Sequence, residues 1–273
     1  ERLVKENLKL VDVVVELLDA RIPMSSANPV LREIVGGKPC LIVLNKADLA
    51  DETMTRAWVK YFAWQGITAV PVNAVKGRGV KELVQAIAKC AKPKTDKLVQ
   101  HGAKARAARC MILGIPNVGK SSLINRLSGG TKTKVENRPG VTRAKQWIRL
   151  GAQLELLDMP GILWPKFEDQ QAALHLAFTG AINDNVYDVA GVVLLLLDTL
   201  RTKYPVVLSE RFRLEGELPS GVMLLEEIGR KRGCLRAGGK IDYEKTEQII
   251  LTDFRSGRFG RITLDVLPTD SST

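Results

Sequence analysis

The chain has 273 residues and a mass of 30.0 kDa, with 45% hydrophobic and 26% charged residues, enough for one large or two modest domains with cores of their own. That composition excludes wholesale disorder and a collagen-like fibre, and the longest uncharged apolar run, Val189 to Leu197, is nine residues where a membrane span needs roughly 20. The formal charge of +11 is uneven, with 27 Lys and Arg against 14 Asp and Glu up to Trp164, and 14 against 16 beyond it.

Taken in chain order, the opening Glu1-Arg2-Leu3-Val4-Lys5 is amphipathic and has no signal-peptide core, and the missing initiator Met suggests that sequence precedes it. Val11 to Leu18 is rich in β-branched residues and predicts a strand ending in the loop Asp19-Ala20-Arg21-Ile22-Pro23. Asn28-Pro29 then caps a short helix over VLREIV. The continuous apolar run Pro39 to Leu44 is expected to be a strand buried on both faces of a parallel sheet. A helix over Thr53 to Gln65, a strand over Thr68 to Val72 and a helix over Val80 to Ala91 complete an alternation that predicts a doubly wound α/β sheet. Lys92-Pro93-Lys94 is expected to end that helix, with a basic linker running to about Ala108. A strand over Arg109 to Leu113, a helix over Ser121 to Leu127, and a hairpin of Gln146 to Leu150 with Leu154 to Leu157 follow. Beyond Glu168 the helical periodicity of 169–179, 187–203, 221–232 and 242–255 predicts a separate, mainly helical domain. The expected division is 1–165 and 166–273.

The positive charge concentrates in Lys89 to Arg109, with seven Lys and Arg against Asp96, and in Lys132 to Arg149, with six against Glu136. Two such runs in one half favour a polyanionic partner over a merely solvated linker. Cys40, Cys90, Cys110 and Cys234 are widely spaced, so neither a disulfide framework nor a zinc site is indicated and a reducing, cytoplasmic setting is expected.

Gly114-Ile115-Pro116-Asn117-Val118-Gly119-Lys120-Ser121 matches the phosphate-binding loop GxxxxGK[ST] between a strand and a helix. Its glycines let backbone N–H groups turn inward around a β-phosphate, and the helix start adds positive charge. Lys120 is expected to reach the β- and γ-phosphates and the Ser121 hydroxyl to ligate Mg²⁺, with Val118, Gly119 and Ser122 in the same contact set. Asn45-Lys46-Ala47-Asp48 has the guanine-reading pattern NKxD: the Asp48 carboxylate accepts from guanine N1–H and N2–H₂, a donor pair that adenine lacks. Asn45 is expected to support the loop and purine N7, and the Lys46 stem to cover the base. Asn73-Ala74 fits a second base loop, with the Ala74 amide meeting guanine O6.

Asp158-Met159-Pro160-Gly161 matches DxxG, a pattern that chance produces about once in such a chain. Its weight comes from its position at a strand end, some 40 residues after the phosphate loop. Asp158 would hold Mg²⁺ through water, the Gly161 N–H would meet the γ-phosphate, and Thr142 is the candidate switch threonine that completes the Mg²⁺ shell. Ala237-Gly238-Gly239-Lys240 lacks a preceding strand and is expected to be a turn. Trp58, Trp64 and Trp147 either stack on bases or pack in the fold.

The motif order is unusual. NKxD and the Ala loop come before the phosphate loop, where ordinary small GTPases have them after DxxG, so the chain reads as a circularly permuted P-loop GTPase followed by a helical domain. With DARIP (19–23), NKAD (45–48), GIPNVGKSS (114–122), NRPGVT (137–142) and DMPGIL (158–163), the sequence resembles the ribosome biogenesis GTPase A family of bacterial permuted GTPases. The resemblance implies GTP hydrolysis during late assembly of the large ribosomal subunit, with ribosomal RNA and ribosomal proteins as partners, no membrane, and a monomeric state. Nucleotide state is expected to control docking on the pre-ribosome, since the chain enters its helical domain directly after Gly161.

No catalytic residue is assigned. Ile162 stands where many GTPases carry a water-orienting Gln, so hydrolysis is expected to be slow alone and stimulated by the ribosomal subunit. The resemblance implies a catalytic histidine ahead of the first strand, before this sequence begins. His101 and His175 read as surface or helix residues. Asn117 either holds K⁺, as its counterpart in related GTPases does, or only shapes the loop. A GTP-gated signalling or scaffold module with a protein partner is the alternative, and a metabolic kinase is disfavoured by NKAD.

Overall fold

The computed structural model describes residues 2–102, 104–129, 135–136, 147–150, 153–157 and 169–268. After helix α1 (Arg2–Leu8) the β-branched run forms β1 (Val13–Asp19), buried at every position. A strand covered on both faces has no use for polar alternation, which is why its sequence is nearly all apolar. The Asn28 side chain accepts the Val30 N–H at 3.0 Å ahead of α2 (Leu31–Val35). The apolar run PCLIVL becomes β2 (Cys40–Asn45). Asp51 caps α3 (Glu52–Trp64), accepting the Met54 N–H at 2.7 Å. Then come β3 (Thr68–Val72), α4 (Val80–Gln100), β4 (Ala108–Gly114), α5 (Lys120–Leu127), β5 (Val135–Glu136), β6 (Trp147–Leu150) and β7 (Leu154–Leu157).

Among the described residues these strands form one sheet in the order β3-β2-β1-β4-β7-β6-β5. The first five run parallel, and β6 is antiparallel to both β7 and β5. The chain moves outward from the interior strand β1 to β2 and β3, then returns to place β4 on the other side of β1. That reversal is the topological switch point at which open α/β sheets bind ligands, beyond the carboxyl ends of the strands. On one face Val14 and Met111 pack with Val4 and Leu8 of α1 and Leu31 and Val35 of α2. Further along β1, Leu18 shares that face and packs with Ile42, Leu44, Trp58 and Phe62. Helix α4, which packs on β1 to β4, buries Leu83, Ile87 and Ala91.

Helix α4 overturns the expected break. It continues through Pro93 to Gln100, although proline leaves the Lys89 carbonyl without its helical donor. Thr95 Oγ1 donates to the Ala91 and Lys92 carbonyls at 3.3 and 3.0 Å. Lys94 Nζ reaches the buried Asp12 at 2.9 Å and the Val11 carbonyl at 3.0 Å, tying the far half of the helix to the sheet. Of the described residues between α4 and β4, 101–102 form a turn and 104–107 are irregular.

The chain divides into two compact units, residues 1–166 with 263–273, and residues 167–262. The second unit holds α6 (Gln170–Phe178), α7 (Val189–Lys203), α8 (Pro205–Phe212), α9 (Gly221–Lys231) and α10 (Tyr243–Arg255). Helix α8 had no counterpart in the sequence reading; Pro205 at its first position starts it at once after α7. Ala237–Gly239 is one 3-10 turn with a left-handed Gly238. The sequence division also fails at its far end, because residues 263–268 are not helical and pack with the first unit. No helix of the described residues is long and apolar enough to cross a membrane.

Candidate functional site

The loops after β1, β2, β3 and β4 emerge at one edge of the sheet, since the four strands are parallel neighbours. The loop after β4 begins at Gly114, where a Cβ would lie 2.8 Å from the Leu17 carbonyl oxygen, so only glycine lets the backbone pass β1 this closely. Ile115 and Val118 are buried and anchor the loop, while Asn117 turns it through a left-handed φ of 57°. Gly119, at φ 98°, starts α5 without a side-chain cap. Glycine at the cap brings no side chain of its own to this helix start, the kind of helix N-terminus that takes an anion. Ser121 and Ser122 stand exposed on this first turn, with Lys120 half-buried beside them.

Asn45, at the end of β2, joins three loops. Its Nδ2 donates to the Val118 carbonyl at 2.8 Å, and its Oδ1 accepts the Ala74 N–H at 3.2 Å. A Cβ on Gly119 would sit 2.3 Å from Asn45 Nδ2, so the glycine is needed for this packing as well as for its φ. The expected contact of the Ala74 amide with a purine oxygen therefore competes with the bond to Asn45. Asn73 shapes its own loop: its Oδ1 accepts the Lys76 N–H at 2.8 Å, and its N–H donates to the Arg78 carbonyl at 3.0 Å.

Lys46, also left-handed at φ 57°, donates from Nζ to the Asn117 carbonyl at 2.8 Å and pairs with Asp19 Oδ2 at 3.0 Å. Asp48 is half-buried in the same loop.

Asp19 and Arg21 are each 1% exposed and form a buried pair, Nη2 to Oδ2 2.7 Å and Nε to Oδ1 3.0 Å. Burial opposes ionisation of Asp19, but the charges of Arg21 and Lys46 outweigh it and hold the carboxyl well below its usual range. Asp19 and Arg21 thus form a structural pair, with Lys46 as a third member.

Two parts of the site escaped the sequence reading. Arg126, on the outer turn of α5, donates to the Ala74 carbonyl at 3.2 Å and to the Val75 carbonyl, clamping the loop after β3 to the helix that follows the phosphate loop. The segment from Thr263 lies on the loop after β1, where Leu264 N donates to the Arg21 carbonyl at 2.8 Å. Neither has a sequence motif. Thr142, Asp158, Gly161 and Ile162 lie outside the described residues.

The first basic run is partly spent inside the protein. Lys94 and Arg106 pair with Asp12, and Arg109 pairs with Glu155 at 3.0 Å. Lys89, Lys92, Lys97 and Lys104 remain exposed. Trp58 is fully buried, and Trp147 is buried with the Arg109 guanidinium 5.3 Å from its ring. Among the described tryptophans only Trp64, 76% exposed, is placed to stack on a partner. His175 is buried beside Phe178, and His101 is exposed at the end of α4.

Residues 109–217 match the family described as 50S ribosome-binding GTPase. The chain is 49% identical to Ribosome biogenesis GTPase A of Bacillus cereus over 265 residues, covering 97% of this chain and 89% of that protein. It is 33% identical to the Mitochondrial ribosome-associated GTPase 1 of Mus musculus, covering 96% and 85%. The GDP-bound structure of TM YlqF superposes with a TM-score of 0.67 at 27% identity over 97% of this chain and 98% of that one. The GNP-bound YlqF from T. maritima gives 0.63 at 28% identity over 96% and 95%. With NKAD (45–48) ahead of its phosphate loop, the protein is a circularly permuted GTPase, and it belongs to the ribosome biogenesis GTPase A family.

Proposed function

We propose that the protein docks on a late precursor of the large ribosomal subunit under control of its nucleotide, and leaves after hydrolysing GTP. The observation that carries the nucleotide assignment is the Asn45 side chain, which holds the phosphate loop at Val118 and the base loop at Ala74 in one frame. In this reading Asp48 selects guanine, Asn73 and Ala74 line the base, and Asn117 to Ser122 cradle the phosphates, with the Lys120 ammonium on the β- and γ-phosphates. Thr142 and Gly161 complete the contacts on the γ-phosphate side.

The exposed Ser121 hydroxyl, on the uncapped first turn of α5, fits a hard cation beside a phosphate. With Thr142 and Asp158 it would hold Mg²⁺, which neutralises charge on the transferring phosphoryl group. Asn117 is assigned K⁺. With Ile162 in place of a polar residue, the chain does not orient water from that position, so turnover is slow until the particle binds.

The partner assignment is supported by the relatives' names and by the four exposed lysines between Lys89 and Lys104. Ribosomal RNA and ribosomal proteins are the contacts, the 167–262 unit is a docking surface, and the protein acts as a cytoplasmic monomer. The test is GTP turnover in K⁺ or Na⁺ buffer with and without purified large subunits. Strong stimulation by subunits, greater in K⁺, is expected. Equal turnover with and without subunits, with no co-sedimentation in either nucleotide state, would overturn the proposal.

A further inference from the structure

The segment Thr263 to Leu267 returns to the first unit and touches the loop after β1 at several points. Asp265, 7% exposed, accepts the Met24 and Ser25 N–H groups at Oδ2, each at 2.8 Å, and the Ser25 hydroxyl at Oδ1, at 2.6 Å. Leu264 N donates to the Arg21 carbonyl at 2.8 Å, and Thr263 Oγ1 accepts the Asp51 N–H at 3.1 Å at the start of α3. Leu267 packs beside the cluster that holds Trp58 and Phe62. The residues it grips include Arg21, whose guanidinium ends on Asp19, and Asp19 in turn pairs with Lys46. Lys46 ends on the Asn117 carbonyl. Polar contacts joined by the backbone of the loop after β1 thus link Asp265 to the phosphate loop across 148 residues of sequence, within one compact unit.

We infer that Asp265 is a positioning residue for guanine-nucleotide binding, acting through Arg21, Asp19 and Lys46. The chemistry gives the reason. One buried carboxylate, Asp19, serves two cations, so where Arg21 stands decides how firmly Asp19 holds Lys46 against Asn117. Arg21 carries its guanidinium on a loop fixed at its own carbonyl by Leu264 and three and four residues later by Asp265. Apolar packing alone would place the segment without engaging two N–H groups and a hydroxyl on one carboxylate. Whatever displaces residues 263–267 from the loop after β1 therefore loosens the nucleotide.

The inference rests on the assignment of the nucleotide site to the 45–48 and 114–122 loops. Release of a fluorescent GDP analogue from the full chain by stopped flow separates the two. Asp265→Ala is expected to speed release about five- to tenfold, in the ordinary range of a coupling between sites, with Asp265→Asn nearer to wild type because an amide oxygen still accepts. The effect should vanish in a Lys46→Met background, since the path runs through that lysine, whereas a merely structural loss would multiply with it. Ser25→Ala, which removes the hydroxyl bonded to Asp265 and leaves both N–H contacts in place, is the milder variant should Asp265→Ala fail to fold, with about a twofold effect expected. Wild-type release from these variants, or the same fold-change in both backgrounds, overturns the brace. Wild-type release from Lys46→Met and Asp48→Asn would instead overturn the site assignment and the brace together.

Discussion

Lys46 and Asn117 lie 71 residues apart, yet the Lys46 ammonium donates to the Asn117 carbonyl at 2.8 Å, and both backbones are left-handed at φ 57°. Among the described residues the only other non-glycine with positive φ is Arg213, in the helical unit. A left-handed L-residue costs about 1–2 kcal/mol, less for asparagine. The two strained turns thus face each other where the 45–48 loop meets the phosphate loop, and the hydrogen bond between them holds both.

Asn117→Val should therefore lower stability by about 1–2 kcal/mol in urea unfolding, since a β-branched side chain tolerates this region worst. Asn117→Gly should fold within about 1 kcal/mol of wild type, because glycine adopts the turn freely and loses only through the freer unfolded chain. Equal losses in both would show that the side chain matters more than the backbone turn.

Gly119→Ala tests the frame around Asn45. Alanine at φ 98° is strained, and its methyl would stand 2.3 Å from Asn45 Nδ2, forcing the amide off the Val118 carbonyl. Losing one buried hydrogen bond of ~1.4 kcal/mol corresponds to a tenfold change in an equilibrium constant. Guanine-nucleotide affinity measured by calorimetry should fall by about tenfold or more. Asn45→Ala should lose a similar amount, and the double variant little more than either.

How much of this was legible in the sequence depends on where each residue's partner lies. The strands were readable because burial on both faces writes an unbroken apolar run, and the loops because nucleotide-binding chemistry fixes residue types at fixed spacing. Their permuted order was readable too, because it needs no geometry. Helix α4 was misjudged at Pro93 because what carries it onward is remote: Lys94 finds Asp12, 82 positions earlier in the chain. The brace at Asp265 was invisible for the same reason, with partners 240 residues away and no periodicity of its own. Arg126 looked like any exposed helix residue, since nothing local marks a guanidinium that reaches two carbonyls of another loop.

Asp12 should set much of the acid sensitivity of the first unit. It is fully buried, which by itself would raise its pKa, but hydrogen bonds from Arg106, the Arg109 N–H and Lys94 bring it down to about 2 from an ordinary 3.8. A carboxyl with a depressed folded-state pKa stabilises the protein above its unfolded value and ceases to do so as pH falls through the folded one. The contribution, about 2 kcal/mol, should be complete above roughly pH 4 and lost on approaching pH 2. Asp12→Asn should be less stable at pH 7 by about that amount and should show a shallower slope on the acid side in urea unfolding at stepped pH. An unchanged slope would assign the acid sensitivity to other carboxyls, Asp19 first among them.

In the helical unit Asp253 has the heaviest demand placed on it. It is fully buried and accepts from Arg211 at 2.6 Å, Arg232 at 3.2 Å and Arg258 at 2.9 Å, while the Arg211 and Arg232 guanidiniums also lie 5.7 and 5.4 Å from the Phe212 ring. Removing Asp253 leaves three cations gathered with no carboxylate between them, two of them beside an apolar ring, so Asp253→Ala should cost about 3–5 kcal/mol. Arg258 is different, because its side chain is 59% exposed. Water solvates most of its charge, so Arg258→Ala should cost less than about 1 kcal/mol. Thermal unfolding of the two variants side by side reads the contrast directly. Equal losses would mean that the guanidiniums act as one interlocked group, and that removing any member releases the others from Asp253.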